Sequence, residues 1–409
     1  FDMGGTTAKL SLVDGGEPLT AYSFEAARQK RFIEGSGLPI RISTIELIEI
    51  GAGGGSIAEV SEIGLLKVGP RSAGSQPGPA SYSLGGTEAT VTDADFLLGY
   101  LNPAYFAGGE VKVDMDAARA AIGRLAQRVS LSQTQVAWGI HDIVNENMAS
   151  AARVHIAERG RDPRGYALLS TGGAGPVHAY GVARKLGLER VICPPSAGVA
   201  SALGLLVAPA RVDRVATVGI RLDRGSGAAL EAAFRRLEDE ARAVMADTGL
   251  KLETATVRRL ADGRFMGQGF DLVVALPDGP YDGGEATRRQ LQAAFEGAYR
   301  EKFSLTPPEV PVEFINIRVA VRAPVAGGEI AIERPRERAA GNPVKGRRPA
   351  YFPEAGGFVE TTVYDRYRLV AGDDLTGPAV VEEEGSTLVV GPGATARVAP
   401  SGNLMVTLP

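Results

Sequence analysis

The residues best suited to chemistry stand together in FDMGGTTAKLSLV, at positions 1–13. An acid, two glycines and two threonines follow one another at the tip of a short strand. Gly4 and Gly5 carry no Cβ, so main-chain N–H groups there can approach an anion closely. Thr6 and Thr7 add hydroxyl donors for phosphate oxygens. Asp2 can hold Mg2+, through water, or orient an attacking water. The alternative is a plain hairpin turn that contains an acid. A second segment, TGGAGPVHA at 171–179, joins a buried strand to a helix. The N–H groups of a helix start attract an anion or a ribose hydroxyl. Gly172, Gly173 and Gly175 open the backbone so that a nucleotide can lie flat on it, although close strand–helix packing asks for the same glycines. His178, in the first turn of that helix, reads as a ligand or general acid–base group, or else as a polar packing residue.

Three further positions offer chemistry. GAGGGS (51–56) follows a strand, and the N–H array of Gly53, Gly54 and Gly55 suits a phosphate or a carbonyl-phosphate intermediate. A glycine-lined packing turn is the other reading. VTDAD (91–95) places Asp93 and Asp95 at a helix start. Asp93 is then a metal or substrate ligand, or it caps the helix without chemistry. Lys9 meets a phosphate or is a solvated strand residue. His155 and Cys193 read as structural, since no histidine stands near Cys193 in sequence to activate it.

The composition narrows the classes. A chain of 409 residues is too long for one core and suggests two or three domains. Apolar residues at 44% and charged residues at 22% are ordinary for a globular protein. A formal net charge of -4 gives no basic surface for nucleic acid or an anionic membrane. A single cysteine excludes an internal disulfide framework and fits a cytoplasmic, reducing setting. With only three histidines, a site of three or four His ligands is nearly impossible. No signal peptide and no apolar run long enough for a bilayer is seen. The chain starts without Met and already in a strand, which reads as the later portion of a longer protein or a trimmed one.

The elements that must position these residues follow from periodicity. FDM and KLSLV are strands around the GGTTA turn, and ISTIELIEI (42–50) is another. Residues 69–86 are too rich in Gly, Pro and Ser for regular structure and read as an ordered loop against a site. Helices are expected over 114–129 and from Ser132 through Glu158, where Val136, Ile140, Val144, Met148 and Ala152 recur at helical spacing. YALLS, a turn, VHAYGVARKLGL and RVICPP form a βαβ unit with parallel strands. Residues 196–208 read as a further apolar helix. The domains expected are an α/β unit over 1–215, an α+β unit over 216–328, a linker over 329–349 and an all-β domain over 350–409.

Two glycine segments of this kind, separated by a helical stretch, resemble the actin-like, sugar-kinase and Hsp70 ATPase architecture. There a DxGGT hairpin grips phosphate and a strand-GG-helix turn grips adenosine. The wider pattern resembles the hydantoinase A / 5-oxoprolinase family. The matching blocks run in order through FDMGGTTAK, IGAGGGSIAEV, VGPRSAGSQPGPASYSLGGTEATVTDADFLLGYL, ERGRDPRGYALLSTGGAGPVHAYGVARKLG and PPSAGVASALGLLVAP. FMGQGFDLVVALP and VYDRYRLVAGDDLTGPAVVEEEGSTLVVGPG resemble the family's middle and C-terminal domains. Relatives include N-methylhydantoinase, ATP-dependent lactamases and the acetone and acetophenone carboxylases.

The resemblance implies an actin-like α/β ATPase fold followed by an α+β and an all-β domain, with ATP and Mg2+ as cofactors. It implies that the DxGGT at 2–6 is the second phosphate motif, so that a domain carrying the first one precedes it. Asp2 is then the second metal-and-phosphate acid, with Asp93 as a further metal ligand and His178 beside the substrate. The implied reaction is ring opening of a small cyclic amide, a hydantoin, 5-oxoproline or lactam. Phosphorylation of the carbonyl oxygen overcomes amide resonance and lets water attack. A hydantoinase B-type subunit is the implied partner. A ketone carboxylase subunit, a non-catalytic scaffold and a sugar-kinase-like phosphotransferase are the other readings.

Overall fold

The computed structural model describes residues 1–27, 36–40, 42–224, 227–250, 252–307, 310–324 and 341–409. Contacts divide them into two units. The first takes Phe1–Thr20, Ile45–Leu203 and residues 341–409, and the second takes the rest.

In the first unit β1 (Asp2–Met3) and β2 (Ala8–Leu10) pair antiparallel across the glycine turn. Ile48–Ile50 adds to the far edge of β2. Met3, Ala8, Leu10 and Ile50 point inward, while Lys9 on the alternate face is exposed, as a solvated strand residue is. Helices α1 (Val91–Leu97), α2 (Met115–Val129) and α3 (Gln133–Ala157) follow. In α3 the five apolar residues at helical spacing are all buried. Ser132 caps the helix and Gln135 closes a capping box. The strands Leu168–Leu169 and Arg190–Cys193 pair in parallel around α4 (Gly175–Leu186), so the βαβ unit is present. Much of 69–86 is irregular, but Leu66–Ser72 is a strand and Ala80–Tyr82 a single 3-10 turn. The apolar run at 196–208 forms the helix Ala200–Val207 yet leaves Leu205 and Leu206 exposed.

The expected separate all-β domain over 350–409 is not what forms. Leu404–Thr407 pairs antiparallel with Arg190–Cys193 and sits between it and Thr395–Val398. A second sheet holds Val344–Phe352, Gly357–Asp365, Ala379–Glu383 and Ser386–Val390, and α4 packs on its last strand. One hydrophobic core therefore runs from Met3 to Val406. The physical reason is size: most of these strands are only three to five residues long, and their apolar faces need the α/β layer to be covered. The linker expected over 329–349 lies outside the described residues up to 340, and its last part belongs to the strand Val344–Phe352.

The second unit combines helices with an antiparallel sheet. Its antiparallel sheet has the order Ala210–Arg221, Val312–Ala323, Thr256–Phe265, Leu272–Ala275. Helices Gly227–Ala246 and Glu285–Phe303 bury Leu230, Phe234, Leu291 and Phe295 in its core. The expected boundary at 215/216 falls inside a strand that is paired along its length with Val312–Ala323, so the unit starts earlier. Glu231 lies between Arg259 (2.6 Å) and Arg235 (2.8 Å) and accepts the Tyr281 N–H (3.1 Å). The Arg259 hydrogen bond, outweighing burial, holds its carboxyl down at about 2. A depressed folded-state value stabilises above the unfolded value and is lost as pH falls. Acid unfolding of this unit, followed by circular dichroism, is therefore expected to draw on Glu231 between about pH 4.5 and about pH 2. Glu231→Gln should flatten that part of the profile; an unchanged profile would remove Glu231 from it. Among the described residues no helix is long and apolar enough to cross a membrane.

Candidate functional site

The two glycine turns are neighbours. The Thr171 N–H donates to Phe1 O (2.8 Å), the Met3 N–H to Thr171 O (3.1 Å) and the Ala174 N–H to Met3 O (3.0 Å). The TGGAG turn is thus stitched along β1. Gly172 has φ +84°, and a Cβ there would lie 2.4 Å from Met3 O. Gly175 opens α4, whose N-cap residue Ala174 makes no side-chain cap; with the Ala174 N–H held by Met3 O and no N–H on Pro176, the N–H groups this helix start can offer are those of Gly175 and Val177.

Gly4, Gly5, Gly54, Gly173 and Ala174 line one cavity of about 200 Å³, together with Asp95, Val177 and the loop Glu382–Thr387. A Cβ at Gly4 or Gly5 would meet nothing within 4 Å, which is the open space an anion-binding turn requires. Thr6 is exposed at the tip, and Thr7 O closes the turn by accepting the Gly4 N–H (3.1 Å). Asp2 does not line this cavity. Its Oδ2 accepts the Ser201 hydroxyl (2.8 Å) and the Thr171 hydroxyl (3.1 Å), so two donors fix the carboxylate's direction.

Gly53, Gly54 and Gly55 do not present a free N–H array. The Gly54 N–H donates to Gly4 O (3.1 Å), the Gly55 N–H to Gly5 O (2.7 Å) and the Gly53 N–H to Ser56 Oγ (2.9 Å). A Cβ at Gly53 would lie 2.6 Å from the Gly5–Thr6 peptide. These glycines buttress the Gly4–Gly5 turn from behind instead of cradling a phosphate themselves. Only Gly54 reaches the cavity.

The structure also corrects Asp93 as a metal ligand. Its fully buried carboxylate accepts from Ser81 N–H (2.8 Å), Ala80 N–H (3.2 Å), Thr90 N–H (2.9 Å) and the Thr90 hydroxyl (2.8 Å). Thr90 is the N-cap of α1 and Asp93 completes its capping box. Four donors fill the carboxylate, and none of its surface is left for an ion.

His178 does not touch either cavity as an acid–base group would. It is fully buried in the first turn of α4; its Nδ1 faces Asn145 Oδ1 at 2.8 Å and its Nε2 lies 3.3 Å from Asp95 Oδ2. His141 Nδ1 bonds the other carboxylate oxygen, Asp95 Oδ1, at 2.7 Å. The two imidazoles stack with centroids 4.5 Å apart. Burial alone would raise the Asp95 carboxyl, but when the His178 and His141 rings present N–H groups to it they outweigh burial and hold it at about 2. Burial pushes His178 down from its ordinary value. Asp95 is the member of this group that reaches the glycine-walled cavity, while His141 and Asn145 line a second cavity of about 300 Å³.

Two parts of the site were not foreseen. The loop Glu382–Thr387 walls the cavity, and Glu383 fixes it by accepting the Ser196 N–H (2.8 Å) and the Ala197 N–H (3.3 Å). Glu382, buried, pairs with Lys345 (2.6 Å) and Arg348. The acidic run EEEGS was its only signal, and in sequence it reads as a turn between strands. The Asp95–His141–His178 group had no local signal at all, because α1, α3 and α4 each supply one residue.

A family model described as Hydantoinase/oxoprolinase matches residues 1–214, and its C-terminal domain model matches 223–400. The chain is 31% identical to caprolactamase subunit alpha of Pseudomonas jessenii, over 99% of this chain and 57% of the relative. It is 27% identical to the 5-oxoprolinase of Dictyostelium discoideum, over 100% of this chain and 32% of that protein. The crystal structure of ATP-dependent caprolactamase from Pseudomonas jessenii superposes with a TM-score of 0.82 at 31% identity, covering 99% of this chain and 58% of that one. Nucleotide-free acetone carboxylase gives a TM-score of 0.78 at 27% identity, covering 99% and 57%. The chain thus spans little more than half the length of these two, and a third of the oxoprolinase. Both expected sequence blocks and the mixed α/β fold agree with these likenesses, and the chain belongs to the hydantoinase/oxoprolinase family.

Proposed function

We propose that this chain is the A-type part of an ATP-dependent enzyme that opens a small cyclic amide. One observation carries the reading: the Gly4–Gly5 turn and the start of α4 wall a single cavity. An open glycine turn and an uncapped helix start, side by side, suit phosphate oxygens. A volume of about 200 Å³ lies below that of a whole-ligand pocket, so the cavity suits the phosphate end of a nucleotide rather than all of it. The actin-like arrangement of the nucleotide is part of this proposal.

ATP supplies the phosphoryl group that activates an otherwise unreactive amide carbonyl. The chain's own work is positioning and charge neutralisation. Gly5 brings its N–H group to the phosphate while the Gly4 N–H closes the turn onto Thr7 O, with the Thr6 and Thr7 hydroxyls as further donors and Gly173 beside the start of α4. Asp2, aimed by Ser201 and Thr171, is the residue that would hold Mg2+ or its water. His178 acts on Asp95 rather than on the substrate. A B-type subunit completes the enzyme in this reading; the caprolactamase and carboxylase relatives are named as subunits. A cytoplasmic setting accords with a single cysteine in the sequence, the buried Cys193. The likeness to acetone carboxylase carries a second reading, carboxylation of a ketone.

The full-length protein with its B-type subunit should release phosphate from ATP when one of hydantoin, 5-oxoproline or caprolactam is added, with matching ring-opened product. Stimulation by acetone and bicarbonate alone would select the carboxylase. Accumulation of a stable phosphorylated product would overturn both in favour of a kinase, and no stimulation by any member of the panel would leave the scaffold reading.

A further inference from the structure

We propose that Asp95, His141 and His178 form a binding site for a divalent transition-metal ion, at the edge of the glycine-walled cavity and independent of the ATP reading. The three side chains come from α1, α3 and α4, and their ligand atoms all lie within 4.8 Å of one another. Asp95, His141 and His178 are 2%, 4% and 0% exposed. An ion bound to nitrogen and oxygen at about 2.0–2.2 Å needs its ligand atoms roughly 3–3.5 Å apart. Asp95 Oδ2 already meets this with His178 Nε2 at 3.3 Å; His141 Nδ1 contacts the other oxygen, Oδ1, at 2.7 Å, so its ring has to draw back by a few tenths of an ångström and turn out of the stack with His178 for both imidazoles to point at one ion.

Two features of the group call for a cation. The first is charge. Among the described residues no lysine or arginine pairs with the buried Asp95 carboxylate; only the two imidazoles do. A buried carboxylate without a compensating cation is costly. The second is His178. Asn145 Oδ1 is an acceptor, so the Nδ1 that faces it carries the proton. His178 Nε2 is then a bare lone pair, fully buried, with no hydrogen bond and with a carboxylate oxygen 3.3 Å away. Two electron-rich atoms facing one another in the interior repel, and an ion between them converts repulsion into coordination.

The surroundings match what metal sites require. Asn145 fixes the tautomer and ring direction of His178 in the way that outer partners of metal-bound histidines do. Two imidazole nitrogens and one carboxylate oxygen suit Zn2+ or Co2+ better than Mg2+ or Ca2+. Three protein ligands leave the coordination incomplete, and Asp95 borders the glycine-walled cavity, which is where an exchangeable ligand would enter.

The test needs neither nucleotide nor substrate. The full-length protein, stripped with a chelator, is titrated with Zn2+ by calorimetry and with Co2+ by visible absorption. One ion per chain is expected, with the intense d–d bands of low-coordinate Co2+. His141→Asn and His178→Asn should each weaken binding by about a hundredfold or more, and Asn145→Ala by about tenfold. His155→Asn, at the third histidine, should bind as the parent does. Folded parent protein that binds neither ion more tightly than the His141→Asn/His178→Asn double variant would overturn the site. That result would mean a proton-bridged group, with the Asn145 amide turned over so that its NH2 faces His178. The comparison of parent with double variant holds even if a single variant folds poorly, because parent binding alone decides the negative case.

Discussion

Asp2→Asn is expected to lower substrate-stimulated phosphate release about a thousandfold while leaving the unfolding curve in place, roughly 4 kcal/mol of lost transition-state stabilisation. The two consequences separate because the side chain has two jobs. Oδ2 accepts hydroxyl hydrogens from Ser201 and Thr171, and an asparagine oxygen can accept the same two. What asparagine cannot supply is the negative charge that a Mg2+ ion or a Mg2+-bound water needs beside transferring phosphate. The loss should fall on kcat, with little change in KM for the amide. Ser201→Ala, which frees the carboxylate to turn, should cost only about tenfold. Turnover within a factor of two of the parent for Asp2→Asn would take Asp2 out of the chemistry, whatever the fate of the ATP reading.

Gly172→Ala should destabilise the first unit by about 3 kcal/mol, read as an earlier urea transition in that unit. Two costs combine. A φ of +84° is unfavourable for any residue with a side chain, and the new Cβ would sit 2.4 Å from Met3 O and 2.7 Å from Met3 C and N. Backbone at both sides of that contact is held, on one side by the Gly172 N–H bond to Ala197 O and on the other by β1 pairing. Relaxation therefore has to move the strand that carries Asp2. Gly4→Ala is the contrast. Its Cβ meets nothing within 4 Å and its φ is ordinary, so stability should change by less than about 1 kcal/mol. A stability loss at Gly4 as large as that at Gly172 would contradict the open turn.

Much of this was legible in the residues. Period 3.6 placed α3 because an amphipathic helix against a core obeys it: Val136 through Ala152 are buried. Gly4–Gly5 and Gly172–Gly173 announced backbone that must approach something, and they do wall one cavity through Gly4, Gly5 and Gly173. What they approach was not legible. Gly172 and Gly53 are glycines because neighbouring main chain occupies the place of a Cβ, whereas Gly4 and Gly5 face open space. Sequence shows the same letter for both. Asp93 and Asp95 stand two apart in one short helix, yet one is consumed by a cap and the other faces two imidazoles. The difference lies in tertiary partners 46 residues away or more, beyond any local pattern. Domain limits failed for the same reason, since strand order along the chain says little about which sheet a short strand joins.

The position of Leu404–Thr407 inside a sheet whose other half was laid down two hundred residues earlier has a consequence for biosynthesis. Arg190–Cys193 leaves the ribosome with one flank unpaired and stays so until nearly all of the sequence shown has been translated. A nascent chain interrupted between residues 194 and 404 carries both glycine turns and yet an open β edge, a template for aggregation rather than a half-active enzyme.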